Sequence, residues 1–199
     1  MTRQWLGRLR GGCCVEQVEL FSLIIHLLEK LGVEYMVVGS YASGAYGDAR
    51  FTYDIDIVAD VTPEQIDGLI AELSEDFYIS RDAALAAIAN HSQFNIIHPD
   101  SGNKIDIMVP PDSPWGREQL KRRVRLEVLR GVEAFTASPD DVILSKMLYY
   151  REGGSEKHMR DITGILRMSD DKVDRNYISD WAEKLDVAEV WQAVLNRLK

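Results

Sequence analysis

Two aspartates lie two residues apart in the segment YDIDIVAD, and this spacing is the first sign of chemistry in the 199-residue chain. Residues i and i+2 of a β-strand share one face, so Asp54 and Asp56 point the same way while Ile55 and Ile57 point into the core. Two carboxylates this close either raise each other's pKa or share a cation. A hard, oxygen-binding ion such as Mg²⁺ would satisfy the pair.

A third acid, Asp106, lies in the apolar segment KIDIMV between Ile105 and Ile107. If this strand neighbours the strand of Asp54 and Asp56, three carboxylates occupy one face. Three acids around two cations can carry out in-line phosphoryl or nucleotidyl displacement, in which one metal holds a triphosphate and the other activates the attacking hydroxyl. An Asp-X-Asp pair at a strand edge is more often solvated or structural, so the pair alone does not establish a catalytic site.

A Gly-Ser turn changes this balance. Gly39 and Ser40 follow the apolar run EYMVV and precede YASGAY, which resembles a short helix start. This geometry presents backbone N–H groups and a hydroxyl to an anion. Gly39 allows close approach of the backbone and Ser40 can bind a phosphate oxygen, so a triphosphate site and a metal site would adjoin.

The elements that must position these residues can be read from hydrophobic periodicity. Apolar spacing predicts a helix from about Val15 to Leu31, ended by Gly32. A second helix begins at TPEQIDG, with Thr62 as N-cap and Pro63 at the first helical position, and RDAALAAIAN forms a third. The predicted strands are EYMVV, YDIDIVAD, FYIS, QFNIIH, KIDIMV and VEAFTA, with QFNIIH and KIDIMV joined by the turn PDSGN.

The pattern changes at Ser138, where SPDD reads as an N-cap, a proline and two first-turn acids. From there to Lys199 we expect four helices, at roughly 139–151, 156–168, 174–185 and 187–198. The fold class is therefore predicted as a mixed-sheet α/β (α+β) core with an N-terminal helix over 1–137. A C-terminal helical bundle over 138–199 would pack against this core.

The core motif resembles that of the nucleotidyltransferase superfamily, which has a DNA polymerase β-like fold and includes kanamycin nucleotidyltransferase and small minimal nucleotidyltransferases. Gly39-Ser40 supplies the turn, Asp54 and Asp56 supply the Asp-hydrophobic-Asp pair, and Asp106 stands in the place of the later acid. The resemblance implies that the three acids are catalytic and bind metal. It implies that Asp106 also acts as, or positions, the base, and that Gly39 and Ser40 hold the triphosphate.

The segment ARFTYDID, with Arg50 and Thr52, is similar to the form found in bacterial AbiEii-type toxins and their uncharacterised relatives. Lys146 on the SPDD helix and Asp161 on the next helix match positions in the helical part of that family, and the resemblance runs from about Val15 to the C-terminus. It implies that Arg50 and Thr52 either touch phosphate or brace the loop. Lys146 either contacts nucleotide phosphate or forms an inter-helix ion pair.

The activity implied is transfer of a nucleoside monophosphate from an NTP to an acceptor hydroxyl, with Mg²⁺ or Mn²⁺ as cofactor. The acceptor is open among tRNA or other RNA, protein and small molecules, and a toxin–antitoxin pair would add an antitoxin protein as partner. The alternative is a non-catalytic nucleotide- or partner-binding module with the same fold. Three intact acids favour the enzyme.

The charge of the chain bears on whether it binds nucleic acid. A net charge of −9 argues against a generic nucleic-acid coat protein. The segment REQLKRRVRLEVLR is locally basic, which is compatible with contact to RNA phosphates, but a solvated, ion-paired face with Glu118 and Glu127 is favoured. Its basic residues are Arg117, Lys121, Arg122, Arg123, Arg125 and Arg130.

Other features exclude competing classes. The adjacent Cys13 and Cys14 read as free thiols of a reducing compartment, and no Cys/His zinc spacing or Walker-type lysine loop occurs. The run VELFSLIIHLL is too short to cross a membrane, and the N-terminus lacks a signal-peptide core. We expect a cytoplasmic protein without a membrane partner. His158 is expected at the surface, and Trp115, Trp181 and Trp191 in the core.

Overall fold

The computed structural model describes residues 17–48, 52, 54–73 and 76–198. Arg50, Cys13 and Cys14 lie outside the described residues. Within them the chain forms seven strands and nine α-helices. The strands are β1 (Glu34–Val37), β2 (Asp54–Asp60), β3 (Tyr78–Ile79), β4 (Gln93–His98), β5 (Asn103–Met108), β6 (Val124–Leu129) and β7 (Val132–Thr136). The helices are α1 (Gln17–Lys30), α2 (Gly39–Tyr46), α3 (Pro63–Glu72), α4 (Arg81–Asn90), α5 (Pro114–Arg122), α6 (Pro139–Gly153), α7 (Glu156–Met168), α8 (Arg175–Lys184) and α9 (Ala188–Arg197).

The strands form one mixed sheet in the order β3-β4-β5-β2-β1-β7-β6. The β2–β5 and β1–β7 pairs are parallel, and the remaining neighbours are antiparallel. The predicted neighbourhood of the two acid-bearing strands is confirmed, because β2 and β5 lie side by side at the centre of the sheet. The mixed α/β fold with C-terminal helices is likewise the one expected from the sequence.

One face of the sheet is covered by α1, α3 and α4. Ile55, Ile57 and Ala59 of β2 are fully buried there, together with Ile105 and Ile107 of β5. The alternation along β2 therefore separates an apolar inner set from Asp54 and Asp56 on the opposite face, as the period of two requires.

The other face packs against α2, α5 and the C-terminal helices. Met36 and Val38 from the sheet side share one buried cluster with Ile143 of α6, Ile165 of α7 and Trp191 of α9. The acids of β2 and β5 lie on this second face, so the cleft between the sheet and helices α6 and α7 is where any site built on them must form.

The local signals that predicted helix starts are confirmed. Thr62 and Gln65 form a capping box at α3, with the Thr62 side chain accepting from the Gln65 N–H. Ser138 caps α6 by accepting from the Asp141 N–H at 3.2 Å. Gly32, after α1, has the positive φ of +65° typical of a helix C-terminus.

One strand was not predicted. Residues Val124–Leu129 form β6, which pairs with β7 at the edge of the sheet. The basic side chains of this region make ion pairs, although with acids other than the expected Glu118 and Glu127: Arg122 with the buried Asp140, and Arg125 with Glu29 at 2.9 Å. Among the described residues, no helix has both the length and the apolar character required to cross a membrane.

Candidate active site

Strand register brings two of the three predicted acids together. Asp56 of β2 and Asp106 of β5 are direct partners across the parallel pair, so their side chains leave the sheet on the same face. Asp54 lies two residues earlier on β2 and is exposed at the start of the strand. Its register partner on β5 is Lys104. The three carboxylates thus follow one edge of the cleft, with Asp56 and Asp106 innermost.

Protein groups already contact Asp106. The Lys104 ammonium lies 3.0 Å from its Oδ2 atom, and Asn95 of β4, with its amide nitrogen turned toward the acid, donates to Oδ1 at 2.7 Å. Within the described part of the chain, no three acidic, histidine or cysteine side chains converge tightly enough to enclose a metal ion. The three acids therefore lie close together without forming a closed metal cage.

Gly39 lies directly against Asp56. Its φ is +64°, and a Cβ atom built at Gly39 would lie 2.0 Å from Asp56 Oδ2 and 2.9 Å from Asp56 Cβ. The Val38 N–H donates to the Asp56 carbonyl at 2.9 Å, which fixes this approach through the backbone. Only glycine tolerates both the conformation and the contact.

Helix α2 begins at this contact and is held at both ends. Its N-cap, Val38, offers no side-chain oxygen to the first-turn N–H groups, and Gly39 and Ser40 of that turn line the cleft. Near its other end the Tyr46 hydroxyl donates to the Ala137 carbonyl at 2.9 Å, and the Ser169 hydroxyl donates to the Tyr46 carbonyl at 2.7 Å. The N-terminus of α2, the end of a helix that carries partial positive charge, is thereby placed beside Asp56.

A cavity of about 200 Å³ contains most of these features. Gly39 and Ser40 of α2 and Asp56 of β2 line one part of it. Its opposite wall comes from the C-terminal helices, and its floor is the apolar second face of the sheet. The lining residues used below are Gly39, Ser40, Asp56, Val58, Met108, Lys146, Tyr149, Lys157 and His158.

Electrostatics set Asp56 apart from its neighbours. Burial raises the pKa of the Asp56 carboxyl, and the charges of Asp106 and Asp54 raise it further, while Lys146 and Lys104 act in the opposite direction. Burial also raises the pKa of the Tyr149 hydroxyl, to which the Asp56 charge contributes. Asp56 is thus a crowded, partly desolvated carboxylate whose charge calls for a nearby cation.

Lys146 and Asp161, the predicted residues of the helical part, line two different cavities. Lys146 of α6 lines the cavity and also forms an ion pair with Asp161 of α7, with Nζ and Oδ2 2.7 Å apart, so the inter-helix pair is present. Asp161 lies instead in a neighbouring cavity of about 350 Å³ that also contains Lys157 and Arg160.

Thr52 braces the segment before β2. Its carbonyl accepts from the Gln17 side chain at 3.0 Å and from the Tyr41 hydroxyl at 3.4 Å. These contacts are made by the main chain, so the role of the Thr52 side chain stays a prediction. The prediction for Arg50 lies outside the described residues.

The sequence interpretation missed two wall residues. His158 was expected at the surface, and this was wrong: it is half-buried, lines the cavity and stacks on Tyr149 with ring centroids 5.7 Å apart. The two residues come from different helices, so their pairing depends on how α6 and α7 cross. Trp115 and Trp191 are buried as predicted, and Trp181 is half-buried.

The residues present fit a hard divalent cation by donor chemistry. The crowding of Asp54, Asp56 and Asp106 supplies carboxylate oxygens and an excess of negative charge, which is the environment that Mg²⁺ and Mn²⁺ favour. Sulfur and imidazole ligands, which softer metals favour, are not part of this set.

The similarities of this chain to known proteins are similarities of fold. No protein-family model and no curated protein matched the sequence. Among solved structures, an antigenic nucleotidyltransferase-like protein from Paracoccidioides brasiliensis is 23% identical with a TM-score of 0.55, covering 92% of this chain and 87% of its own. The antibiotic-resistance factor ANT(2'')-Ia is 15% identical with a TM-score of 0.54, covering 92% and 94%.

The lincosamide antibiotic adenylyltransferase LnuA, in its lincomycin-bound structure, is 18% identical with a TM-score of 0.51, covering 78% of this chain and 99% of its own. The chain therefore has the nucleotidyltransferase-like fold, a mixed sheet followed by C-terminal helices. At these identities the likeness defines the fold, and the activity must be argued from the site.

Proposed function

We propose that this protein is a metal-dependent nucleotidyltransferase that moves a nucleoside monophosphate from an NTP to an acceptor hydroxyl. The observation that carries this proposal is the contact between the start of α2 and the acidic strand pair. Gly39 packs on Asp56, and Asp56 is in register with Asp106. The start of α2 and Asp56 therefore line one cavity, and Asp106 lies beside Asp56 on the neighbouring strand, so an anion and a cation could be held side by side.

The chain's own groups divide the binding task. The first-turn N–H groups of α2 and the Ser40 hydroxyl would hold the triphosphate, and Asp54, Asp56 and Asp106 would hold Mg²⁺ or Mn²⁺. The ion, when bound, neutralises phosphate charge and lowers the pKa of the acceptor hydroxyl. Lys146, which faces the cavity from α6, adds positive charge to the same space.

The reaction exchanges a phosphoanhydride bond of the NTP for a phosphate ester bond to the acceptor. The acceptor oxygen forms a bond to the α-phosphorus, and the bond from that phosphorus to the bridging β-phosphate oxygen breaks. Pyrophosphate leaves with the electron pair, and the hydroxyl proton moves to a base. We assign that base to the Asp106 carboxylate because it is the acid beside Asp56 that is farther from Gly39-Ser40 in the strand order.

The wall of the cavity suits a flat, partly apolar group. Val58 and Met108 form the floor, and the Tyr149–His158 pair faces the cavity from α6 and α7. Aromatic rings and apolar side chains of this kind bind planar rings by stacking and burial. We place the nucleoside of the NTP against this wall.

The finer class rests on the sequence resemblance. Arg50, Thr52, Lys146 and Asp161 match the pattern of AbiEii-type toxins, so we propose that type, acting in the cytoplasm with an antitoxin protein as partner. The acceptor remains tRNA or other RNA, protein or a small molecule. The ion pairs of the basic segment, such as Arg125 with Glu29, give no support for an RNA surface there.

A second candidate function is a non-catalytic nucleotide-binding module. One observation favours it: Asp106 is engaged by both Lys104 and Asn95, so the third acid is not presented to the cavity as an open ligand. Such a module would bind metal and nucleotide without releasing pyrophosphate.

A label-transfer screen tests the proposal. The protein is incubated with each α-labelled NTP, Mg²⁺ or Mn²⁺, and separate pools of cellular RNA, protein and aminoglycosides, while pyrophosphate release is followed. We expect label in one pool, and its loss in the Asp54→Asn, Asp56→Asn double variant, whose folding is checked by circular dichroism. Nucleotide binding by the folded protein without transfer or pyrophosphate release would establish the module instead.

A further inference from the structure

A lysine lies within the acidic cluster itself. Lys104 and Asp106 are two residues apart on β5 and share a face, and Lys104 is the register partner of Asp54 on β2. Its Nζ atom lies 3.0 Å from Asp106 Oδ2. The motif of three acids is therefore a motif of three acids and one ammonium group.

The Lys104 ammonium group lies close enough to the acidic cluster to oppose the binding of a cation there. Asp106 is mostly buried, with 14% of its side chain exposed, and Lys104 is about one-third exposed, so solvent screens their attraction only in part. A divalent cation on Asp106 would meet a unit positive charge on the same carboxylate. Two cations on one carboxyl group repel each other, so each weakens binding of the other.

We propose that Lys104 is a built-in counter-ion of the acidic cluster that competes with free divalent cations for Asp106. This inference rests on the proposed function, in which the cluster is the metal site. A metal ion that arrives with a nucleotide brings the negative charge of the triphosphate, which attracts the Lys104 ammonium and offsets its repulsion of the metal. Lys104 thereby makes the site favour the metal–nucleotide complex over the metal alone.

Direct measurement of metal binding separates this role from a structural one. Mn²⁺ binding to the full chain is measured by electron paramagnetic resonance or calorimetry, for the wild type and for Lys104→Met. We expect Lys104→Met to bind free Mn²⁺ about tenfold more tightly. With a non-hydrolysable NTP present, we expect the difference between the two proteins to shrink to about threefold or less.

The chain offers a matched control. Lys30 forms an ion pair with Glu72 at 2.6 Å, and the two lysines have similar exposure, 39% for Lys30 and 36% for Lys104. Lys30→Met removes the same charge from a pair on another face of the protein, so its Mn²⁺ affinity should stay at the wild-type value. Lys104→Arg keeps the charge and should retain weak binding.

Several outcomes would overturn the inference. Unchanged or weaker Mn²⁺ binding by Lys104→Met would mean that Lys104 positions Asp106 or only braces β5. Absence of Mn²⁺ binding in both proteins would also overturn the inference. If Lys104→Met does not fold, Lys104→Gln takes its place. The gain must also disappear when Asp106→Asn is added, since a gain in Mn²⁺ binding without the Asp106 carboxylate would arise at another site.

Mn²⁺ affinity and nucleotidyl transfer are measured separately, so failure of the counter-ion role and failure of the proposed function can be distinguished. Tighter Mn²⁺ binding by Lys104→Met with no nucleotidyl transfer by the wild type would support the counter-ion and contradict the enzyme. Transfer by the wild type with unchanged Mn²⁺ binding would do the reverse.

Discussion

Gly39 meets two requirements at one position: a left-handed backbone and a contact with Asp56 that leaves no room for a side chain. The sequence indicated a close backbone approach at Gly39, to a phosphate group, because a Gly-Ser turn between a strand and a helix is typical of a phosphate-binding start. The positive φ and the contact with Asp56 were not predicted, and the contact depends on the antiparallel register that places Val38 beside Asp56.

Gly39→Ala tests the close contact. The added Cβ would lie 2.0 Å from Asp56 Oδ2 and 2.9 Å from Asp56 Cβ, so turning the carboxylate does not relieve it fully. We expect a loss of about 2–4 kcal/mol in the free energy of unfolding, measured in urea, together with loss of nucleotide binding.

Gly32→Ala is the matched control for this substitution. Gly32 has almost the same φ, +65° against +64°, but nothing lies within 4 Å of the added Cβ. It should cost only about 1 kcal/mol, the conformational penalty alone. Equal losses for the two variants would show that the Asp56 contact has no energetic weight.

Asp56→Asn should stabilise the protein at neutral pH. The pKa of Asp56 is raised in the folded state by burial and by the charges of Asp106 and Asp54, so the charged form is disfavoured there relative to the unfolded chain. This penalty is present above the folded-state pKa and disappears as pH falls through it toward the ordinary range of aspartate.

We therefore expect Asp56→Asn to gain about 1 kcal/mol at neutral pH in chelator-treated buffer, with the gain shrinking in acid. Thermal unfolding of both proteins across this pH range measures it. A destabilised variant at neutral pH would show that the Asp56 charge is compensated within the protein.

At the scale of elements, the start of α6 does more than the sequence predicted. The SPDD signal correctly marked the helix N-terminus. The structure adds that Asp141, fully buried, accepts from the Trp115 indole at 3.2 Å, the Tyr177 hydroxyl at 3.0 Å and the Ser138 hydroxyl at 2.7 Å. One carboxylate therefore joins α5, α6 and α8 behind the cavity.

Asp141→Ala should be strongly destabilising, because it leaves buried donors on Trp115 and Tyr177 without their acceptor. We expect a cost of about 3–5 kcal/mol in chemical denaturation. Asp170→Ala removes an exposed partner of Arg175 and should cost less than about 1 kcal/mol. Similar costs would mean that the Asp141 network is energetically replaceable.

The elements that the sequence predicted are those with clean periodicity, such as β2, β5 and the four C-terminal helices. Strand β6 was missed because it is an edge strand whose basic side chain pairs with an acid across the surface, as Arg125 does with Glu29. Lys104 could have been found, since a residue two positions before Asp106 must share its face. The Tyr149–His158 pair could not, because only helix packing brings it together.

At the scale of the whole molecule, the sheet and the C-terminal helices share a core. Met36 and Val38 of the sheet side pack in one cluster with Ile143, Ile165 and Trp191 of the helices. The domain boundary that the sequence predicted near Ser138 therefore stays a prediction, since residues on both sides of it share this cluster. The energetics favour a single folding unit.

We expect one cooperative unfolding transition, coincident by far-ultraviolet circular dichroism and tryptophan fluorescence. A chain ending at residue 137 would expose the buried cluster on the second face of the sheet and should fail to fold. Two separated transitions, or a stable 1–137 fragment, would show two independent domains.

The central claim is that the start of α2 and the three acids form one site for a metal–nucleotide complex. A crystal structure with Mn²⁺ and a non-hydrolysable NTP tests it most directly, because the anomalous signal of the metal locates it. We expect a Mn²⁺ peak on Asp56 and Asp106, with the triphosphate at the backbone N–H groups of Gly39 and Ser40. A nucleotide bound elsewhere, or a metal peak away from these acids, would contradict it.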